Sequence, residues 1–264
     1  MSATADLLDF AAAPHRLPAA VRSATRRCVA DTLAVGAAGW SGPGMAGVLA
    51  TAQSWGNGGT CRLLGDTAAR WPANGAAYAN CFAIHGLEWD AVHEGAVVHA
   101  MTAVVPAVLA AIDRGAASHG TDEVLAAIAV GVDVAAGLGL AASGGLRFFR
   151  PAITGIYGAA LAVARLEGLT REQFADAGLA AQAARVEIVD DGNPDPNAMA
   201  PQRVAATFAD GATLDLAVPV TLGSPERPLD AAGSAAKYGL CRALAPGSCD
   251  PRIFDDPIDY LVRT

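Results

Sequence analysis

The sequence predicts a mainly α-helical protein with a small α+β segment near its C-terminal end. Three observations carry this. Apolar residues recur at three- and four-residue spacing through most of the first 184 positions, the period of a helix with one buried face. Much of the apolar content is Ala, which favours helix and packs helices closely without making strong strands. From Arg185 onward the character changes, and an Asp-Gly pair stands between two runs of alternating residues, the signature of a β-hairpin.

Each element follows from its own signals. Pro18 to Gly39 reads as a helix because Val21, Ala24, Cys28, Thr32 and Val35 fall on one face, with Gly36 and Gly39 near its stop. Ser41–Gly44 is a Gly/Pro turn and Met45–Trp55 a second helix; Gly56–Gly59 is a break before a brief strand at Thr60–Leu64. Pro72–His85 is helical with Pro in its first turn. Val98–Arg114 is a further helix, and Thr121-Asp122 caps the one that runs to Leu140. Ser143–Gly145 is a loop. Gly155–Gly168 and Thr170–Ala184 form a helix pair, the second opened by the Thr-x-x-Gln pattern of a capping box. Val204, Ala206 and Phe208 alternate, as do Leu214, Leu216 and Val218, with Asp210-Gly211 between them. Asp230–Leu244 is the last helix. The implied organisation is a helical domain over 1–184, a hairpin segment over 185–222, and a C-terminal helix and tail over 223–264.

Composition narrows the function classes. At 53% hydrophobic and 17% charged, with mean hydropathy +0.33, the chain is apolar enough to imply a large core or an oligomer interface. No run is long and bulky enough to read as a membrane span: Ala100–Ala111 carries Pro106, and Val124–Leu140 carries Asp133, so both read as buried helices. MSATADLLDF shows no secretory pattern. Five widely spaced cysteines without a CxxC pair read as reduced thiols of a cytoplasmic protein. A net charge of −8 with no Lys/Arg stripe disfavours a nucleic-acid partner.

One stretch carries most of the chemistry. Glu88 to Met101, EWDAVHEGAVVHAM, places Glu88, Asp90, His93, Glu94 and His99 in an otherwise apolar chain, with His85 just before it. A zinc site is disfavoured, because His93 and His99 are six apart rather than the four of a helical HExxH pair and no Cys assists. A serine hydrolase lacks its GxSxG elbow, and the Gly-rich pieces match neither a P-loop nor a dinucleotide fingerprint. Acid/base work on a small anion fits better. His99 opens a helix, where free N–H groups and the dipole favour a carboxylate, and an imidazole there moves protons near neutral pH. Against this stands a polar loop whose histidines merely cap helices; the residues alone leave both readings open.

The run NCFAIHGLEWDAVHEGAVVHAMTAVVPAVLAA resembles the signature of the MmgE/PrpD family, in which an Asn, a His and a Leu-Asp-x-Asp-Asp-Thr-His segment precede a His that opens a helix. Three further pieces agree, in the family's order: ATRRCVADTLAVGAAG, TGIYGAALAVARLEGLTREQFADAGLAAQ and RVAATFADGATLDLAVPVTLGSPERPLD. The family includes 2-methylcitrate dehydratase, cis-aconitate decarboxylase and iminodisuccinate epimerase. The resemblance implies proton abstraction next to a carboxylate on a small di- or tricarboxylate, with no metal or organic cofactor. It implies catalytic roles for Glu88, Asp90, His93 and His99, of which His99 also binds substrate.

The departures from the family pattern are specific. Glu88 keeps the first carboxylate on a longer arm, Asp90 matches, and Ala91 and Val92 replace an Asp and a Thr. Where the family often carries a His before the Gly-Ala-Ala helix, RFFRPAITG offers Arg150 or Phe149; an Arg there serves as a carboxylate clamp. The section that would bear most of an α+β lid and its catalytic Lys and His residues is missing between Ala184 and Arg185. Residues 185–222 then read as a remnant of that lid, and 223–264 as a return to the helical domain. Lys237 is the only lysine of the chain and falls where the family has a structural Lys-Phe pair. The implied protein is a cytoplasmic homodimer with no membrane partner, and either a dehydratase or decarboxylase, an isomerase of the same family, or a shortened non-catalytic member acting through interactions.

Overall fold

Eleven helices and two antiparallel hairpins make up the described residues. The computed structural model describes residues 3–142, 150–176, 202–207, 213–218, 223 and 226–262. The loop at Ser143–Gly145, the helix beyond Asp176, the boundary at 184/185 and the Asp210-Gly211 turn lie outside them.

In chain order, α1 (Ala3–Ala12), α2 (Ala19–Gly39) and α3 (Met45–Ser54) precede a hairpin of β1 (Cys61–Leu63) and β2 (Asp66–Trp71). Then come α4 (Ala73–His85), a single 3-10 turn (Glu94–Ala96), α5 (Ala100–Arg114), α6 (Thr121–Ala141), α7 (Arg150–Leu166) and α8 (Arg171–Asp176). A second hairpin, β3 (Gln202–Thr207) with β4 (Thr213–Val218), precedes α9 (Ala231–Leu244), α10 (Arg252–Asp255) and α11 (Pro257–Val262). The expected capping box is present: Thr170 N–H donates to Gln173 Oε1 at 2.8 Å, and Gln173 N–H to Thr170 Oγ1 at 3.3 Å. Asp230 caps α9 by accepting from Gly233 N–H at 2.6 Å. In the late hairpin Val204 pairs with Leu216 and Ala206 with Leu214, so the alternating residues are cross-strand partners.

The strand expected near Thr60–Leu64 is β1, and its partner β2 is concealed by the mixed sequence DTAARW. Three expectations need correction. Thr121 and Asp122 do not cap α6: the cap position is Gly120, without a side-chain bond. Helix α7 is already formed at Arg150, five residues before Gly155. The sequence Thr121–Ala141 has the length and apolarity of a membrane span, contrary to expectation, although 61% of its most apolar window is buried in the protein.

Helices α5, α6 and α7 pack through small residues. A Cβ on Gly131 of α6 would lie 2.6 Å from the Gly158 carbonyl of α7 and 3.2 Å from Val104 of α5. Two turns further on, a Cβ on Gly139 would meet Ala96 and Val98, just before α5, at 2.7 Å. On the α7 side, Gly131 meets Ala162 while Gly158 meets Ala135. Helix α6 therefore runs antiparallel to both neighbours, and α5 and α7 run parallel, with their N-termini at the same end.

The opposite end is tied by a buried ion pair. Arg62 of β1 donates Nε to both carboxylate oxygens of Asp113 (2.9 and 3.0 Å) and its backbone N–H to Asp113 Oδ2 (2.7 Å). Its remaining nitrogens reach the carbonyls of Tyr260 and Leu261, and its guanidinium lies 4.7 Å from the Tyr260 ring centroid. Asn80 of α4 joins the same hairpin, accepting from Leu64 N–H and donating to the Arg62 carbonyl. The main core spans α2, α4, α5, α6, α7 and the C-terminal helices.

Candidate active site

The site forms where α4 ends and α5 begins. Gly86 closes α4, and the chain turns through Glu88, whose φ of 54° lies in the left-handed region that non-glycine residues seldom occupy. The loop is closed at its far side by a bridge, with His93 N–H donating to the Val98 carbonyl at 2.9 Å and Val97 also left-handed at φ 53°. A β-branched residue in that conformation persists only where its surroundings hold it there. The result returns the chain so that His85, Asp90 and His99 meet.

Asp90 is the centre of the cluster. Its side chain is fully buried, against 28% exposure for His85 and 17% for His99. His85 Nδ1 lies 3.2 Å from both Asp90 oxygens. His99 Nδ1 is 2.9 Å from Asp90 Oδ2, close but poorly aligned for a linear hydrogen bond. Thr102, one turn into α5, donates its hydroxyl to the same oxygen. The two imidazole rings meet edge to face, with centroids 4.8 Å apart. On the outer side, His85 Nε2 faces Glu88 Oε1 at 3.4 Å.

The electrostatics follow from this packing. Contact with Asp90 raises the His99 pKa above its ordinary 6.5; burial opposes this, and the charges of Asp90 and Glu88 add to it. Burial alone would raise the Asp90 carboxyl, but the close approach of His99 Nδ1 and the hydrogen bond from Thr102, with the charge on both imidazoles, outweigh it and hold the carboxyl below its usual range. Cys81, on the last turns of α4, is pushed up to about 11 by burial and by the charge of Asp90, so it offers a thiol rather than a thiolate at neutral pH.

Of the residues expected at the site, Asp90 and His99 come together directly, and Glu88 joins through His85. His93 stands apart: its exposed ring accepts from the Ala96 N–H at 3.1 Å and caps the 3-10 turn. Arg150 is buried at the first position of α7, at the bundle end where α5 also begins; Phe149, the other choice for that position, lies outside the described residues. Two groups were not singled out as site residues. His85 belongs to the polar neighbourhood, but its pairing with Asp90 depends on the turn at Gly86–Glu88. Thr102 stands three residues after His99, on the same helix face, and that spacing is the signal that would have found it.

Helix α5 begins at His99 without a side-chain cap, so its first N–H groups face the cluster end. The arrangement combines a positive helix terminus, a proton-bearing imidazole on a buried carboxylate, and a second imidazole. It suits proton transfer on an anionic molecule. His85, Asp90 and His99 each offer a donor atom within 4.8 Å of the others and are the described residues placed to hold a metal ion. Curated proteins offer no match to the chain. A family model described as the MmgE/PrpD N-terminal domain matches residues 7–194.

Proposed function

The chain belongs to the MmgE/PrpD family, and from that premise we propose that it is a lyase-like enzyme acting on a small di- or tricarboxylate by proton transfer next to a carboxylate. The observation that supports this reading best is Asp90, fully buried and faced by both His85 and His99 at the N-terminus of α5. An imidazole whose pKa is raised is protonated more of the time near neutral pH. That suits His99 to donating a proton, or to binding a substrate carboxylate, rather than to acting as the base. Its Nδ1 faces Asp90, which leaves Nε2 as the edge for substrate. His85 lies on the other side of the same carboxylate, with its Nε2 towards Glu88, and completes the polar cluster. The N-terminus of α5 and Arg150 at the same bundle end provide positive charge for the substrate carboxylates. Elimination of water and inversion of a centre begin with removal of a proton next to a carboxylate, whereas loss of CO2 needs a proton delivered to the carbanion it leaves; the enzyme we propose is a dehydratase or decarboxylase, in a cytoplasmic homodimer that requires no cofactor.

A steady-state assay on 2-methylcitrate, cis-aconitate and iminodisuccinate tests this. We expect only weak turnover of one of them, because the section that would bear most of the lid is missing, and a loss of at least about a hundredfold from that rate in His99→Ala, the scale for a missing acid/base group. His15→Ala and His119→Ala should keep the rate, since His15 contacts the Phe10 carbonyl and His119 contacts Glu123, away from the cluster. Equal losses in all three variants would point to destabilisation instead of a site. Absence of turnover for the wild-type chain would overturn the enzymatic reading. It would favour the second one, a non-catalytic family member, which draws on a specific fact: the only lysine, Lys237, is already engaged in an ion pair with Asp31.

A further inference from the structure

The single lysine of the chain reaches the loop that carries Asp90. Lys237 lies in the middle of α9, about 150 residues from the site in sequence. Its ammonium group is 2.8 Å from Asp31 Oδ1 and 3.0 Å from Oδ2, on α2, and it donates to the Trp89 carbonyl at 2.7 Å. Trp89 immediately precedes Asp90, so the peptide whose carbonyl Lys237 holds also leads into the buried carboxylate. Lys237 and Asp31 are each about 30% exposed at the side chain, a half-buried pair rather than a freely solvated one. Trp89 and Leu87 both pack, partly buried, against the main core.

We propose that Lys237 and Asp31 form a positioning pair that sets the orientation of Asp90 towards His99. An ammonium ion carries three donors and no acceptor. Here one N–H fixes a loop carbonyl while others are held by a carboxylate on a long, rigid helix. The loop needs such a restraint: Glu88, the residue before Trp89, sits in the left-handed region, and the contact between Asp90 and His99 is already off line. Removing the restraint lets the segment from Glu88 to Asp90 relax and separates the carboxylate from the His99 ring. The contacts of Lys237 are to Asp31 and to the Trp89 carbonyl, not to the three side chains of the cluster. Lys237 and Asp31 act through the backbone, and they are positioning residues rather than catalytic ones.

This inference deepens the acid/base reading of the site, but its test does not depend on turnover. The imidazole signals of His99 are followed by NMR as a function of pH in the full-length resting protein, treated with a chelator so that no metal ion competes for the His85, Asp90 and His99 donors, and assigned with His99→Gln. In wild type the His99 titration should lie above the ordinary imidazole value. Lys237→Met should move it back towards that value, and Asp31→Asn should do the same. Lys237→Arg, which keeps a cation within reach of both partners, should restore most of the wild-type titration. Arg242→Ala removes an exposed ion pair to Asp255 from the same helix and should leave His99 unchanged. If the protein turns over one of the three substrates, kcat in Lys237→Met should fall roughly ten- to a hundredfold with KM less affected, the scale for a slight misplacement of a catalytic group. A His99 titration unmoved in both Lys237→Met and Asp31→Asn would overturn the proposal, as would an equal shift in Arg242→Ala. Should Lys237→Met fail to fold, the Asp31→Asn titration decides alone. A shifted titration in a protein without turnover keeps the positioning pair and removes the enzymatic reading, so the two failures are distinguishable.

Discussion

Asp90 and His99 perturb each other in opposite directions, and that makes the site legible in a pH experiment. The raised His99 pKa means that its contribution to stability is fully present below about 6.5 and is lost as pH rises through the higher folded value. The lowered Asp90 pKa means that its contribution is present above the ordinary 3.8 and is lost as pH falls through the lower folded value. These are two views of one interaction, strongest between the two limits. If His99 supplies a proton, activity should decline on the alkaline side as His99 deprotonates, and Asp90→Asn should shift that limb to lower pH. A profile whose alkaline limb is the same in Asp90→Asn and wild type would remove His99 as the acid. The polar island around Asp90 was legible in the sequence as a break in an Ala- and Val-rich pattern. Its internal pairing was not. His93 and His99 stand six apart in sequence, whereas the fold brings His85 to His99 across fourteen residues. No spacing rule within one helix addresses a contact made by a turn between two.

Helices were the most legible elements, because their ends carry chemistry that acts locally. The Thr170/Gln173 box, the Asp230 cap and Pro72 before α4 appear where their residue types put them. Elements whose stability comes from elsewhere were hidden. Strand β2 has no alternating apolar pattern and forms only by pairing with β1, and α10 and α11 span only four and six residues; the two helices are held by partners distant in sequence. The Arg62 network shows how. It joins β1, the last turn of α5 and the backbone of α11, with side-chain exposure of 8% at Arg62 and 1% at Asp113. Removing one partner of a buried ion pair leaves the other charge unpaired in a poorly solvated place, which costs about 3–5 kcal/mol. Asp113→Ala should therefore lower the urea midpoint strongly and loosen the C-terminal helices from the body. In contrast, Arg114→Ala, next in sequence and in an exposed pair with Glu167, should cost less than about 1 kcal/mol. Equal effects of the two substitutions in urea unfolding would show that the buried network is not what holds this end together.

At the scale of the molecule, the apolar composition is only partly absorbed by the core. Among the described residues a clear surplus is on α9. Its inward side carries Tyr238, Cys241 and Lys237, which pack against or pair with α2 and the C-terminal helices. Its exposed residues include Ala232, Ala235, Ala236, Gly239, Leu240, Ala243 and Leu244, which at 100° per residue cover one continuous half of the helix. None of them is charged, although a solvated helix face ordinarily is. Leu240 and Leu244 are 50% and 45% exposed, four residues apart and hence one above the other. Small residues flanking two leucines make a face on which a second helix can approach closely. A homodimer built on α9 is the arrangement we expect, with the two copies of the helix packed across a twofold axis so that the same patch serves both sides. Such a helix pair forms the centre of the contact; a stable interface needs roughly 800 Å² from each partner, so neighbouring surface must contribute. Light scattering coupled to size exclusion should give twice the chain mass at micromolar concentration. The double substitution Leu240→Glu and Leu244→Glu should return the monomer with its helical circular dichroism intact, because both side chains point away from the core. A wild-type chain that elutes only as monomer would exclude the dimer, and a variant that remains dimeric would move the interface to another face of the bundle.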